Sequence, residues 1–123
     1  MKKTIIFFIL FFNLTLNTNL KADTFIYGFE DIPLMNGLTQ IDNNDISFGN
    51  EETRFIESQL RAQKNIRFND IRKFYIETLS QFGWNLKENS ESRIVFFRES
   101  DILEINKIAS NPLKISINIK NTN

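Results

Sequence analysis

Glu30-Asp31, Asp42 with Asp45, and Glu51-Glu52 are where acidic side chains cluster in this chain. Oxygen-rich clusters can hold a hard cation such as calcium, and two carboxylates roughly 5 to 10 Å apart across a cleft can hydrolyse a glycosidic bond. The cation chemistry needs regular ligand spacing around a loop, and none of the three clusters has the EF-hand spacing. They read as solvated turn residues. The glycosidase chemistry needs a fold that brings two carboxylates face to face, which sequence spacing does not supply. Histidine and cysteine are both absent. With them go the usual general base at neutral pH, the thiol nucleophile and the imidazole and thiolate metal ligands. Ser58 and Ser80 are the serines inside regular elements that could be nucleophiles, but neither sits in a Gly-x-Ser-x-Gly elbow with a basic partner. Ser58 reads as a small packed residue on the inward face of a strand. These residue types predict a protein that is not an enzyme, with no catalytic, cofactor-binding or metal-ligating residues.

Binding is the remaining kind of chemistry. Phe74, Tyr75, Phe82 and Trp84 could line an apolar pocket at the open end of a sheet. At helical spacing they read instead as core, each removing about 150 to 250 Å² from water when buried. The stretch Pro33-Leu34-Met35-Asn36-Gly37-Leu38 has less structural work to explain it. An apolar loop beside a turn either closes over its own core or offers adaptable side chains to a partner. Pro33, Leu34, Met35 and Leu38 are therefore the candidate contact, with an envelope protein or an apolar ligand as the partner.

The first residues give the compartment. Lys2 and Lys3 precede the apolar run Ile5-Ile6-Phe7-Phe8-Ile9-Leu10-Phe11-Phe12, and the chain turns polar before Leu20-Lys21-Ala22. This is the pattern of a secretory signal peptide over residues 1–22. A membrane span needs about 20 apolar residues, so the run predicts cleavage after Ala22 and no stable span thereafter. Retention as an inner-membrane anchor is the alternative. The mature chain, 23–123, would be one small domain in the periplasm. Without Lys2, Lys3 and Lys21 it has twelve basic against fifteen acidic residues, a formal charge of −3. Charges of both signs alternate along it, which argues against nucleic acid. Lacking cysteine, it must be held by its core alone.

The elements follow from periodicity. Residues 23–44 read as an extended arm with a turn at Asn36-Gly37. Residues 46–48 and 53–64 read as a hairpin, with Ile56, Ser58, Leu60 and Ala62 on one face. Asn69 reads as a helix cap, with Asp70 in the first turn. Ile71, Phe74, Tyr75, Thr78, Leu79 and Phe82 then form one stripe of a 3.6-residue helix. Gly83 ends it and Trp84 begins a strand that alternates inward and outward through Glu88. Residues 93–99 and 101–108 follow as strands, and residues 109–112 turn. In the last strand Leu113, Ile115, Ile117 and Ile119 face inward while Lys114, Ser116, Asn118 and Lys120 face water. The expected fold is α+β, an antiparallel sheet of about five to six strands with one amphipathic helix packed on one face.

Two segments carry a resemblance: Gly28-Phe29-Glu30-Asp31-Ile32-Pro33-Leu34-Met35-Asn36-Gly37-Leu38, and Phe74-Tyr75-Ile76-Glu77-Thr78-Leu79-Ser80-Gln81-Phe82-Gly83-Trp84. With Phe96-Phe97-Arg98-Glu99 they resemble a family of small exported alphaproteobacterial proteins with no assigned activity, over most of the mature chain. Asn36 and Ser80 stand where that family commonly carries proline. The resemblance implies export and a single domain, and carries over no catalytic or binding residue. A soluble periplasmic binding or accessory module is the function expected. The alternative of another class is a carboxylate-dependent hydrolase acting on envelope polysaccharide.

Overall fold

The computed structural model describes residues 24–41, 46–49 and 54–121. The expected signal segment, the turn after residue 49 and the acidic residues Asp42, Asp45, Glu51 and Glu52 lie outside the described residues. Among the described residues, no helix is long and apolar enough to cross a membrane.

Among the described residues the strands are β1 (Leu38–Gln40), β2 (Ile46–Gly49), β3 (Arg54–Ala62), β4 (Asn85–Asn89), β5 (Arg93–Arg98), β6 (Asp101–Ser110) and β7 (Leu113–Asn121), with one helix, α1 (Phe68–Leu79). All pairings are antiparallel, in the order β1-β3-β7-β6-β5-β4, with β2 also on β3. β1 pairs with Leu60 to Ala62 and β2 with the other end of β3, so the two short strands share one edge. The fold is α+β, a sheet six strands wide with one helix packed on one face. Because β3 lies beside β7, the chain must cross three strands to start β4. Four strand spacings are about 19 Å, and the twelve residues of α1 span about 18 Å.

Strand pairing sets the core. Ser58, Ile117, Ile105 and Ile94 stand in one row, and Leu60 pairs with Ile115 in the next. On this face α1 lays Phe68, Ile71, Tyr75 and Leu79, all buried, at i, i+3, i+7 and i+11. The predicted stripe therefore holds through Leu79 but not through Phe82. After Leu79 the chain tightens into a 3-10 turn, Ser80–Phe82, which rotates Phe82 away from the core and leaves it 37% exposed. Phe68, one turn earlier, completes the stripe instead.

Both helix ends are closed by identifiable groups. At the start the cap position is Arg67, not Asn69: the Asp70 carboxylate accepts the Arg67 backbone N–H at 2.9 Å. The side chain of Asn69 is engaged otherwise, accepting from Arg72 Nη1 at 2.9 Å. At the end, Trp84 N–H donates to Leu79 O at 3.1 Å and Gly83 N–H to Ser80 O at 3.3 Å, with Gly83 at φ 89°. This pair of bonds around a left-handed residue is the Schellman closure, for which glycine pays no Cβ penalty. Trp84 is 2% exposed and precedes β4 rather than beginning it.

Four further expectations change. The arm is folded back on itself rather than extended: Phe25 bridges Pro33, Ile26 N–H donates to Ile32 O at 2.9 Å, and Ile26, Phe29 and Ile32 join the core. β4 does not alternate, because it is the outer strand and all five of its residues are exposed. Ala109 and Ser110 belong to β6, which continues to the turn at Asn111-Pro112 past a bulge between Lys107 and Ala109. On β7, Ser116 and Asn118 are buried although they face away from the helix. Ser116 lies between Gln59 and Asn106, and Asn118 between Glu57 and Glu104, so short side chains sit among longer ones.

Candidate functional site

At the end of the sheet where β3 stops, the chain turns through residues 63–67 into α1 and faces the turn joining β6 to β7. Between these two turns lies a cleft of about 390 Å³. Its apolar lining is Ala62, Phe68 and Leu113, from the ends of β3, α1 and β7, with Ile66 and Pro112 from the two turns. Gln63, Ser110 and Asn111 add polar groups, and Lys64, Arg67 and Lys107 add positive charge.

The local structure holds the 63–67 turn in place. Gln63 N–H donates to Gly37 O at 2.9 Å, and Ile66 N–H donates back to Gln63 O at 3.1 Å. Gly37 has φ 97°, and a Cβ there would collide with Ile66 Cδ1. Only glycine satisfies both conditions without strain. On the opposite wall, Lys107 N–H donates to Ser92 O at 2.9 Å beside the β6 bulge. Bulges bend a strand and re-aim its side chains, and this one lies between two lining residues, Lys107 and Ser110.

The cleft is electrostatically one-sided, with no acidic residue in its lining. Elsewhere among the described residues, three cations, Arg93, Arg98 and Lys120, are met by carboxylates. Arg93 reaches Glu104 at 2.8 Å and Glu88 at 3.7 Å, and Lys120 reaches Glu104 at 3.6 Å. Glu104 raises Arg93 above its ordinary value. Burial disfavours the Glu104 carboxylate, but the Arg93 hydrogen bond and charge, with Lys120 and Asn106, outweigh that and hold it below its ordinary value. Arg98 pairs with Asp31 at 2.9 Å. Lys64, Arg67 and Lys107, all exposed, make no ion pair among the described residues.

Pro33, Leu34, Met35 and Leu38 lie elsewhere. Pro33 and Leu38 are buried, and Leu34 and Met35 are half-buried against the core. The Tyr75 hydroxyl, itself buried, donates to Pro33 O at 2.7 Å and accepts Met35 N–H at 3.3 Å. Burial pushes this phenol well above its ordinary range, the Met35 N–H opposing the shift, so it stays a neutral donor. Pro33 and Leu38 of the arm thus serve the interior, while Leu34 and Met35 keep part of their surface open. The arm meets the cleft walls through Gly37, which seats Ile66, and through Leu38, which pairs with Ala62.

The other candidates separate in the same way. Ser58 Oγ accepts Gln40 Nε2 at 2.9 Å in the interior, and Ser80 Oγ donates to Glu77 O at 2.9 Å on the surface. Glu30 is exposed and Asp31 is paired with Arg98. Among the described residues no group of three acidic side chains is placed to hold a metal ion. Phe74, Tyr75, Phe82 and Trp84 do not line the cleft, whereas Phe68 does. Trp84 packs under the Arg98 guanidinium, 4.2 Å from its ring centre, and its buried indole N–H meets no acceptor among the described residues.

The sequence reading passed over the three cleft cations. One pattern points to two of them: Arg61, Lys64 and Arg67 recur every third residue with no acid between. Lys107 arrives only through the pairing of β6 with β7. No family model, curated protein or solved structure matches this chain.

Proposed function

We propose that the protein is a non-enzymatic binding module of the bacterial envelope, exported by its first 22 residues and holding its ligand in the cleft between the 63–67 turn and the β6–β7 turn. The observation that carries this reading is the lining. It combines an apolar wall with Lys64, Arg67 and Lys107, and it holds no carboxylate, histidine or thiol that could act as an acid, base or nucleophile. A recess of about 390 Å³ lies within the range of roughly 300 to 1,000 Å³ usual for small-molecule sites. Export is supported by the charged, apolar and small-residue order of the N-terminal segment.

Amide chemical shifts of isotopically labelled 23–123 test the site. Titration with two eight-carbon probes, 1-octanol and octyl phosphate, should move amides of residues 62–68 and 107–113 with at least one probe. Shifts confined to other surfaces, or none with either probe, contradict the assignment.

A further inference from the structure

We infer that the cleft takes a single-chain amphiphile with an anionic head, the head held by Lys64 and Lys107 and the chain laid on Ile66, Phe68 and Leu113. The inference rests on the cleft being the ligand site, as proposed above, and specifies the chemistry of what enters it.

Charge complementarity is the first argument. The chain as a whole balances fifteen basic with fifteen acidic residues. Arg93, Lys120 and Arg98 are each within 4 Å of a carboxylate. Arg61, Arg72, Lys73, Lys87 and Lys114 make no ion pair among the described residues either; what sets Lys64, Arg67 and Lys107 apart is that all three line one recess that contains no acid. Like charges gathered in a concave site repel one another and are relieved by an anion, and low-dielectric walls strengthen that attraction. The helix N-terminus is not needed for the argument, since Asp70 already accepts the Arg67 N–H there.

The apolar wall is the second argument. A small inorganic anion would use the cations and leave Ile66, Phe68 and Leu113 without a role. A hydrocarbon chain removes that surface from water, at about 0.8 kcal/mol per buried methylene. Ile66 and Leu113 are half-buried and Phe68 is 7% exposed, so the wall is firm but reachable. The cations line a recess rather than a convex rim, which suits a free amphiphile better than a bilayer surface.

Calorimetry on residues 23–123 with octyl phosphate, 1-octanol and inorganic phosphate tests the inference, using wild type and the double variant Lys64→Gln/Lys107→Gln. Both lysines are exposed, so the variant should keep the wild-type melting temperature. Octyl phosphate should bind wild type at least roughly tenfold tighter than octanol, and the variant should lose about that factor, the order expected from two exposed charge pairs. The advantage should also shrink as salt is raised, because exposed charges are screened. Equal binding of octanol and octyl phosphate would overturn the anionic head while leaving the cleft as a ligand site. Equal binding of inorganic and octyl phosphate would overturn the chain. No binding of any probe would remove the inference and the proposed site together. Sedimentation with phosphatidylglycerol vesicles separates the sources: lysine-dependent capture by vesicles without binding of soluble octyl phosphate would overturn the free amphiphile.

Discussion

Trp84 joins three parts of the molecule. It is buried beneath the Arg98 guanidinium, it closes the helix through Leu79, and Arg98 Nη1 reaches on to Phe82 O at 2.8 Å and to Asp31 in the arm. Removing a buried indole leaves a cavity that neighbours only partly refill, so Trp84→Ala should cost about 3 to 5 kcal/mol. Urea denaturation measures this, and an unchanged midpoint would mean that the ring supports nothing. Glu104 makes a pH-dependent contribution. Its folded value lies below its ordinary one of 4.5, so its stabilisation is present above about pH 4.5 and is lost as pH falls through the folded value. Glu104→Gln should be less stable than wild type at neutral pH, and the gap should narrow in acid. A gap that stays constant on acidification would contradict the Arg93-Glu104-Lys120 network. The structural role of Trp84 was legible from its place after Gly83. The pairing of Glu104 was not, because its partners Arg93 and Lys120 meet it only across strands.

At the scale of elements, local pattern was informative where one face decides the contacts. The α1 stripe, the Gly83 closure and the inward row of β3 all follow from periodicity and turn chemistry. The misreadings share another cause. Trp84-Asn85-Leu86-Lys87-Glu88 looks like a half-buried strand, but β4 is the outer strand, and sheet order is set by pairings distant in sequence. Burial of Ser116 and Asn118 likewise depends on what stands beside β7. The arm shows the same limit: its apolar residues were visible, while its anchoring to the core through the Tyr75 hydroxyl joins Pro33 to a residue more than 40 positions away along the chain. Gly37 is the hinge between arm and cleft. Gly37→Ala places a Cβ against Ile66 at positive φ, and should destabilise by roughly 1 to 2 kcal/mol from the backbone conformation alone. It should also weaken ligand binding by displacing Ile66. A variant with unchanged melting temperature and affinity would show that the turn is not held as described.

At the scale of the whole molecule, the helix face is closed by α1 and the arm, the opposite face carries the Arg93-Glu104-Lys120 charges, and the cleft opens at one end of the sheet. The cleft lining holds no carboxylate. Binding has a wall and a charge. The site was only partly legible beforehand: Lys64 and Arg67 belong to a basic run, but their meeting with Lys107 is a product of topology. Export belongs to this scale as well. Mass spectrometry of the protein from the bacterial envelope should find an N-terminus at Asp23, whereas a retained Met1 would make the domain a tethered one. The central claim, that the cleft is the ligand site, is tested most directly by a crystal structure of 23–123 grown with octyl phosphate. The account predicts the phosphate beside Lys64 and Lys107 with the chain over Ile66, Phe68 and Leu113. An empty cleft with the probe bound on another surface would contradict it.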